Sequence, residues 1–358
     1  MLRPKAWLGG VRRLRNPEGR AGAVRLDKNE HTTGLPAALV RRVLDAMGPE
    51  DLAAYPELGG LYAKLAASLG VAVDHLLLTA GSDAAIRAAF DVFVAPGDEV
   101  VLLEPTYAML DVYAGVFGAR VVPVRYGADL SLDPAALVAA IGDATRLVAI
   151  ANPNSPTGTA MPRRDLLAIV EAARRRGVPV LVDEAYHPFH PETVIDRIDA
   201  CETLMVTRTF SKAYGLAALR IGYVAAAPPL IDLLTRVRPL YEVDGLAAAL
   251  AAAVLDEPAV TAAYVRDVRD GRAVLARALT RLGLAAPPAA ANFQLVRVPD
   301  ARLRARIRDG LRDKGILIAG EQPPPIDDCL RITLGPPAQM EALAAALKPL
   351  VAGGRVVR

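Results

Sequence analysis

The chain has 358 residues, 53% hydrophobic and 23% charged, with a formal net charge of +3. That apolar content excludes a disordered chain, and that length exceeds what one compact core usually serves, so a large and a small lobe are expected. The positive excess is scattered; Arg12, Arg13, Arg15 and Arg20 form the only dense basic patch near an end, either a nucleic-acid arm or, since it lacks interleaved aromatics and this reading is favoured, a solvated or interface segment.

Taken in chain order, a polar segment punctuated by Gly and Pro leads into a predicted helix at 35–47. Strands are predicted at 76–79, 99–103, 120–124, 146–150, 178–182 and 203–207, and helices at 83–94 and 164–176. Strand-helix alternation of this kind predicts an α/β sheet, mostly parallel and covered on both faces. The pattern changes after Arg238-Pro239. A long helical stretch follows, then 291–298, a helix at 303–314, strands at 316–318 and 329–333, and a last helix at 339–351. This is the grammar of a smaller α+β lobe. The chain is therefore divided into an N-terminal segment 1–36 that packs on the small lobe or a partner subunit, a large domain 37–245 and a small domain 246–358.

The longest apolar run, 246–255, is too short to span a bilayer, and no secretory signal follows the basic start. Cys201 and Cys329 match no ligand spacing and read as buried thiols of a reducing compartment. A soluble cytoplasmic protein is expected, with no nucleic-acid or membrane partner.

Only six of the 42 Lys and Arg residues are lysines. One of them, Lys212, lies in Thr209-Phe210-Ser211-Lys212-Ala213-Tyr214-Gly215-Leu216, eight residues before Arg220. An amine can lose its proton and condense with an aldehyde, whereas a guanidinium stays charged and cannot. Upstream, Val180-Leu181-Val182-Asp183-Glu184-Ala185-Tyr186 reads as a buried strand ending in a carboxylate and a phenol. Asp183 is costly to bury without a positive partner, and a protonated pyridine nitrogen would supply one. Together these residues suggest a pyridoxal phosphate (PLP) enzyme. The rival, the acidic strand end of a nucleotide hydrolase, needs a Gly-x-x-x-x-Gly-Lys-Ser/Thr run that the chain lacks.

Other strand ends carry weaker signals. Thr79-Ala80-Gly81-Ser82-Asp83 is either a phosphate-binding helix start or a plain helix cap. Tyr107, after Pro105-Thr106, either stacks on an aromatic cofactor or belongs to the core. The run Asn152-Pro153-Asn154-Ser155-Pro156-Thr157-Gly158 either holds polar side chains at the carboxyl ends of the strands or is simply a turn. His187 and His190 have no third ligand nearby, and no metal is expected.

The order and spacing of these features resemble fold type I PLP-dependent aminotransferases, most nearly the histidinol-phosphate aminotransferase branch, from Asp27 onward. Asn29-Glu30, Tyr55-Pro56, the run from Thr207 to Arg220 and Cys329-Leu330-Arg331-Ile332-Thr333 support it. The resemblance implies a large lobe on a mostly parallel seven-stranded sheet, a smaller α+β lobe, and a homodimer with shared active sites. It implies that Lys212 holds PLP as a Schiff base and moves the substrate proton. Asp183 would pair with the pyridine nitrogen, Tyr186 with the ring hydroxyl, and Tyr107 would stack on the ring. Gly81, Ser82, Asp83, Thr209, Ser211 and Arg220 would surround the phosphate, which Tyr55 would reach from the neighbouring subunit. Asn29 and Arg331 are expected at the substrate, Arg331 as a planar fork for its anionic end.

The chain departs from the family pattern in places. Ser155 stands where asparagine is usual, with Asn154 one residue earlier, so both are candidates for the ring oxygen. Ala319 stands where histidinol-phosphate enzymes usually carry an arginine, and the acidic, aromatic segment 238–244 is unlike the usual one; its Glu242 is a further substrate candidate. The expected function is amino transfer between an amino acid and a small phosphorylated or carboxylated keto substrate. A PLP-dependent decarboxylase of a phosphorylated amino acid is the alternative. A PLP-binding regulator without activity is a third reading, disfavoured by the intact Lys212 and Asp183 and by the lack of a preceding DNA-binding domain.

Overall fold

In chain order the strands are β1 (Val24–Leu26), β2 (Leu76–Thr79), β3 (Glu99–Glu104), β4 (Arg120–Arg125), β5 (Thr145–Ala151), β6 (Val180–Asp183), β7 (Leu204–Thr209), β8 (Gly222–Ala226), β9 (Phe293–Arg297), β10 (Ile316–Ile318) and β11 (Cys329–Thr333). They come from a computed structural model that describes residues 3–11 and 19–352. Arg12, Arg13 and Arg15 of the basic patch lie outside the described residues. Arg20 is no free cation: it bridges Asp27 and Glu30, each at 2.6 Å.

β2 to β8 form one seven-stranded sheet in the order β2-β8-β7-β6-β5-β3-β4. β3 to β7 pair in parallel, and β8 runs antiparallel to both neighbours. Both faces are covered, so the central strands read as apolar runs. Successive side chains point to opposite faces: Val148, Ile150, Val180 and Val182 enter one buried cluster, while Leu147, Ala149, Leu181 and Met205 enter the other. Burying each such valine or leucine is worth about 1.5–3 kcal/mol. The platform under the strand ends is therefore rigid. Its register sets Ala151 beside Asp183 and Asp183 beside Thr207.

Most predicted elements agree with these bounds to within a few residues, but β1, β8 and the helices Pro49–Ala53, Gly59–Leu69, Ala108–Phe117, Pro134–Ala140 and Pro228–Val237 were not expected. β8 is short, wholly buried and made mostly of glycine and alanine, which do not favour strands. It begins at Gly222, where a Cβ would lie 2.7 Å from both the Arg208 carbonyl oxygen and the Ser82 nitrogen. Only glycine allows the start of helix Ser82–Phe93 to sit so close to the sheet.

β9 and β11 pair antiparallel, and β1 pairs parallel with β10. Helices Pro258–Leu282, Ala301–Asp313 and Pro337–Ala352 cover them around a cluster that includes Leu26, Leu275, Ile307 and Leu343. The N-terminal strand is thus part of the C-terminal core. A bridge between Ala319 and Arg331 ties β10 to β11 and fixes the direction from which Arg331 approaches the large sheet. Among the described residues no single helix is long and apolar enough to cross a membrane.

Candidate active site

A cavity of about 790 Å³ opens at the carboxyl ends of β5, β6 and β7, walled on the far side by the C-terminal lobe and residues 28–30. Its floor follows from the strand register. Asp183, the last residue of β6, is buried, and its only side-chain hydrogen bond among the described residues comes from the Ala185 N–H at 3.1 Å. Burial, with the like charge of Asp83 next, pushes its pKa up to about 7. A carboxylate so placed lacks a cation.

Lys212 is set by a tight turn after β7. Phe210 anchors the turn in the core, Thr209 Oγ1 accepts from the Ser211 N–H at 3.1 Å, and Gly215 takes a φ of 72°. The Lys212 amine lines the cavity and donates to the Lys28 carbonyl at 3.0 Å. Burial, then the Arg331 charge, brings its pKa down to about 8. Tyr186 also lines the cavity; its phenol accepts from Asn29 Nδ2 at 2.8 Å. Burial raises that phenol's pKa, against the Arg331 charge and hydrogen bonds from Ser155 and Asn29.

A second group gathers where helix Ser82–Phe93 begins. Gly81 has a φ of 78°, and a Cβ there would stand 2.7 Å from Arg220 Nη2. Arg220 Nη1 donates to Ser211 Oγ at 3.3 Å, Thr209 Oγ1 donates to the same oxygen at 2.9 Å, and Arg220 Nη2 lies 3.6 Å from Asp83. Tyr107 donates to Asp83 Oδ1 at 2.7 Å, which sets its ring at the cavity wall. Free helix N–H groups, two hydroxyls and a guanidinium make an anion cradle.

The third group comes from the C-terminal lobe. Arg331 lines the cavity, stands 5.5 Å over the Phe293 ring and donates from Nη2 to the Asp27 carbonyl at 3.1 Å. Its Nε is buried without a hydrogen-bond partner. Asn29, buried with a φ of 57°, is clamped to β11 by its N–H to Thr333 Oγ1 at 2.9 Å. Ala319, Glu321 and Gln322 complete this wall.

Three predicted site residues stand elsewhere. Asn154 is buried and committed to the fold: its Nδ2 donates to the Pro105 carbonyl and Thr157 Oγ1, both at 2.9 Å, and its Oδ1 accepts from Thr106. Ser155 is the one of the pair that faces the cavity. Glu242 does not line it either, because its carboxylate accepts from the Ala80 N–H at 2.9 Å. The expectation of a pocket-facing Glu242 is corrected accordingly. Tyr55 is exposed and outside the cavity of its own chain, stacked on Tyr241 with ring centroids 3.7 Å apart. Among the described residues no group of three His, Cys, Asp or Glu could hold a metal ion. Sequence reasoning missed Glu321 and Gln322, which no motif marks, and Thr106, which its neighbour Tyr107 could have indicated.

A buried amine, a buried carboxylate without a cation, and a cradle for an anion beside a guanidinium with a free Nε fit PLP and an anionic substrate. The sequence matches the aminotransferase class I and II family over residues 22–347. It is 38% identical to histidinol-phosphate aminotransferase 1 of Cupriavidus pinatubonensis, over 92% of this chain and 88% of that protein. It is 39% identical to histidinol-phosphate aminotransferase 2 of Ralstonia nicotianae, over 93% and 90%. The fold is similar to the crystal structure of histidinol-phosphate aminotransferase from Sinorhizobium meliloti in complex with PLP, with a TM-score of 0.89, 27% identity, and coverage of 99% of this chain and 98% of that one. The chain therefore belongs to the class I and II aminotransferases, as a fold type I, PLP-dependent member similar to the histidinol-phosphate enzymes.

Proposed function

We propose that this aminotransferase exchanges an amino group between an amino acid and a small phosphorylated or carboxylated keto compound whose anion is held by Arg331. The observation that carries this reading is the Arg331 guanidinium, steadied by the Asp27 carbonyl at the wall of the cavity that also holds Lys212 and Asp183. When bound, PLP supplies an electrophilic aldehyde carbon and a ring that accepts electrons. Lys212 would hold the cofactor, and its amine, whose pKa burial lowers to about 8, would carry the proton at the substrate carbon. Asp183 would keep a proton on the ring nitrogen. Tyr186 and Ser155, which line the cavity, would hold the ring oxygen, and Tyr107 would face the ring. Ser82, the Asp83 N–H, Thr209, Ser211 and Arg220 would hold the phosphate, and Asn29 steadies Tyr186. Nothing in the family comparison supports the decarboxylase alternative. We further assign a large and a small domain in a cytoplasmic protein, with the expected boundary at 245 moved to the break between helices Gly245–Asp256 and Pro258–Leu282, because Ala247, Leu250, Ala251 and Val254 pack with the core of the large sheet. Of the N-terminal segment, Val24–Leu26 pairs with the small domain, whereas Trp7 donates to the Val116 carbonyl of the large one at 2.9 Å, which corrects the expectation that 1–36 packs on the small lobe or a partner.

Loss of one charge-assisted hydrogen bond costs about 1.5–3 kcal/mol, roughly ten- to a hundred-fold. Arg331→Ala is accordingly expected to lower kcat/KM for anionic substrates by that factor, measured in steady state; an unchanged constant would remove Arg331 from the role. Ala319 lines the same wall without a charge. Histidinol phosphate is therefore expected to be a poor substrate by a similar factor, and Ala319→Arg to improve it. Parity with the best substrate of a donor panel, or no gain from the arginine, would contradict this.

We also propose a homodimer in which Tyr55 completes the neighbouring phosphate cradle, supported by its exposure outside its own cavity. Mixing Lys212→Ala with Tyr55→Phe chains should restore activity by pairing intact residues in one site. An active Tyr55→Phe homodimer, or no rescue on mixing, defeats the shared site.

A further inference from the structure

We infer that Glu242 is a positioning residue for the cofactor phosphate, acting through the backbone of the turn at 79–81. The inference rests on the PLP reading above. That turn leads directly into helix Ser82–Phe93, whose first N–H groups form the anion cradle. Within the turn, the Gly81 N–H donates to the Thr79 carbonyl at 2.8 Å and Thr79 Oγ1 donates to the Gly81 carbonyl at 2.9 Å. Below it, Gly222 makes the close approach that seats the turn on β8. The Ala80 N–H is the group held from the other side, and its acceptor is Glu242 Oε1 at 2.9 Å, a residue 162 positions away.

The carboxylate is offered from a fixed segment. Val243 beside it is buried, and Asp244 caps helix Gly245–Asp256 by accepting from the Ala247 N–H at 2.7 Å. On the other flank, Tyr241 stacks on Tyr55. The second oxygen of Glu242 is buried without a partner, so within the chain the side chain is spent on Ala80. A carboxylate makes a stronger hold on a backbone N–H than a neutral acceptor does. With it gone, the Ala80 peptide can rotate, and the cradle N–H groups lose their aim.

The test is titration of the apo-proteins with PLP and with pyridoxal, which lacks the phosphate, followed by visible absorbance. Glu242→Ala is expected to weaken PLP by about tenfold or more, to leave pyridoxal unchanged, and to leave KM for the amino donor unchanged at saturating PLP. Glu242→Gln keeps an acceptor oxygen and is expected to recover most of the PLP affinity. Wild-type PLP affinity in Glu242→Ala overturns the inference. So does an equal loss for pyridoxal, a defect confined to donor KM, or a Glu242→Gln protein as weak as the alanine variant. Failure of the wild-type protein to capture either aldehyde sinks the cofactor reading itself, a different result from any of these.

Discussion

Asp183→Asn is expected to lower turnover by about two or more orders of magnitude, the loss typical when a preorganised electrostatic element is removed, while PLP is still captured. The two side chains have nearly the same shape, and the amide oxygen can still accept from the Ala185 N–H, as the carboxylate does at 3.1 Å. The difference is charge. In the folded chain Asp183 is buried without a cation, and its pKa sits at about 7 against 3.8 in the open. A protonated ring nitrogen would return it to the ionised form, so carboxylate and ring hold each other's charge state. A neutral amide has no such hold, and electrons leaving the substrate carbon lose their sink. Single-turnover rates with a good donor measure this. Near-normal rates would remove Asp183 from the role.

Lys212→Ala is expected to lose covalent capture outright, and with it the proton carrier, for which general acid–base catalysis alone contributes about 10²–10⁴-fold. Lys212→Arg should fare no better, because a guanidinium stays protonated. The wild-type amine gives a pH signature. Its folded-state pKa is lowered to about 8 from 10.5, chiefly by burial, and only the neutral amine attacks an aldehyde. Capture of PLP by the apo-protein should therefore rise with pH and level off above about 8. A rise that continues to the ordinary lysine value would show an amine in open water. The same sign makes Lys212 oppose folding at neutral pH, since charging a group whose pKa is depressed costs more in the folded chain.

The parts of this site read most easily from sequence are those where one residue type alone can do the chemistry at a strand end. Lys212 and Asp183 are legible as single residues in short runs, Arg331 only through the family resemblance, and the cavity contains all three. Strands β2, β10 and β11 were legible to the residue. β8 was not, because its run Gly222-Tyr223-Val224-Ala225-Ala226 is mostly glycine and alanine, residue types that do not favour strands. Orientation within the turn at 152–158 was beyond sequence reasoning. Asn154 and Ser155 are neighbours, and Thr106, 48 positions from Asn154, helps decide which one faces the cavity. Glu242 illustrates the same limit, because its partner Ala80 is defined only once the sheet has closed. The wall formed by Glu321 and Gln322 arrives with the C-terminal lobe, and no local pattern announces it.

Reduction of the PLP-loaded protein with borohydride, followed by proteolysis and mass mapping, tests the central claim most directly. Two lysines line the cavity, Lys212 and Lys28, so the result discriminates between real alternatives. A single pyridoxyl label is expected on the peptide that contains Thr209 to Leu216, at Lys212, with loss of the visible absorbance. A label on Lys28 or any other lysine, or no label from a protein saturated with PLP, would contradict it.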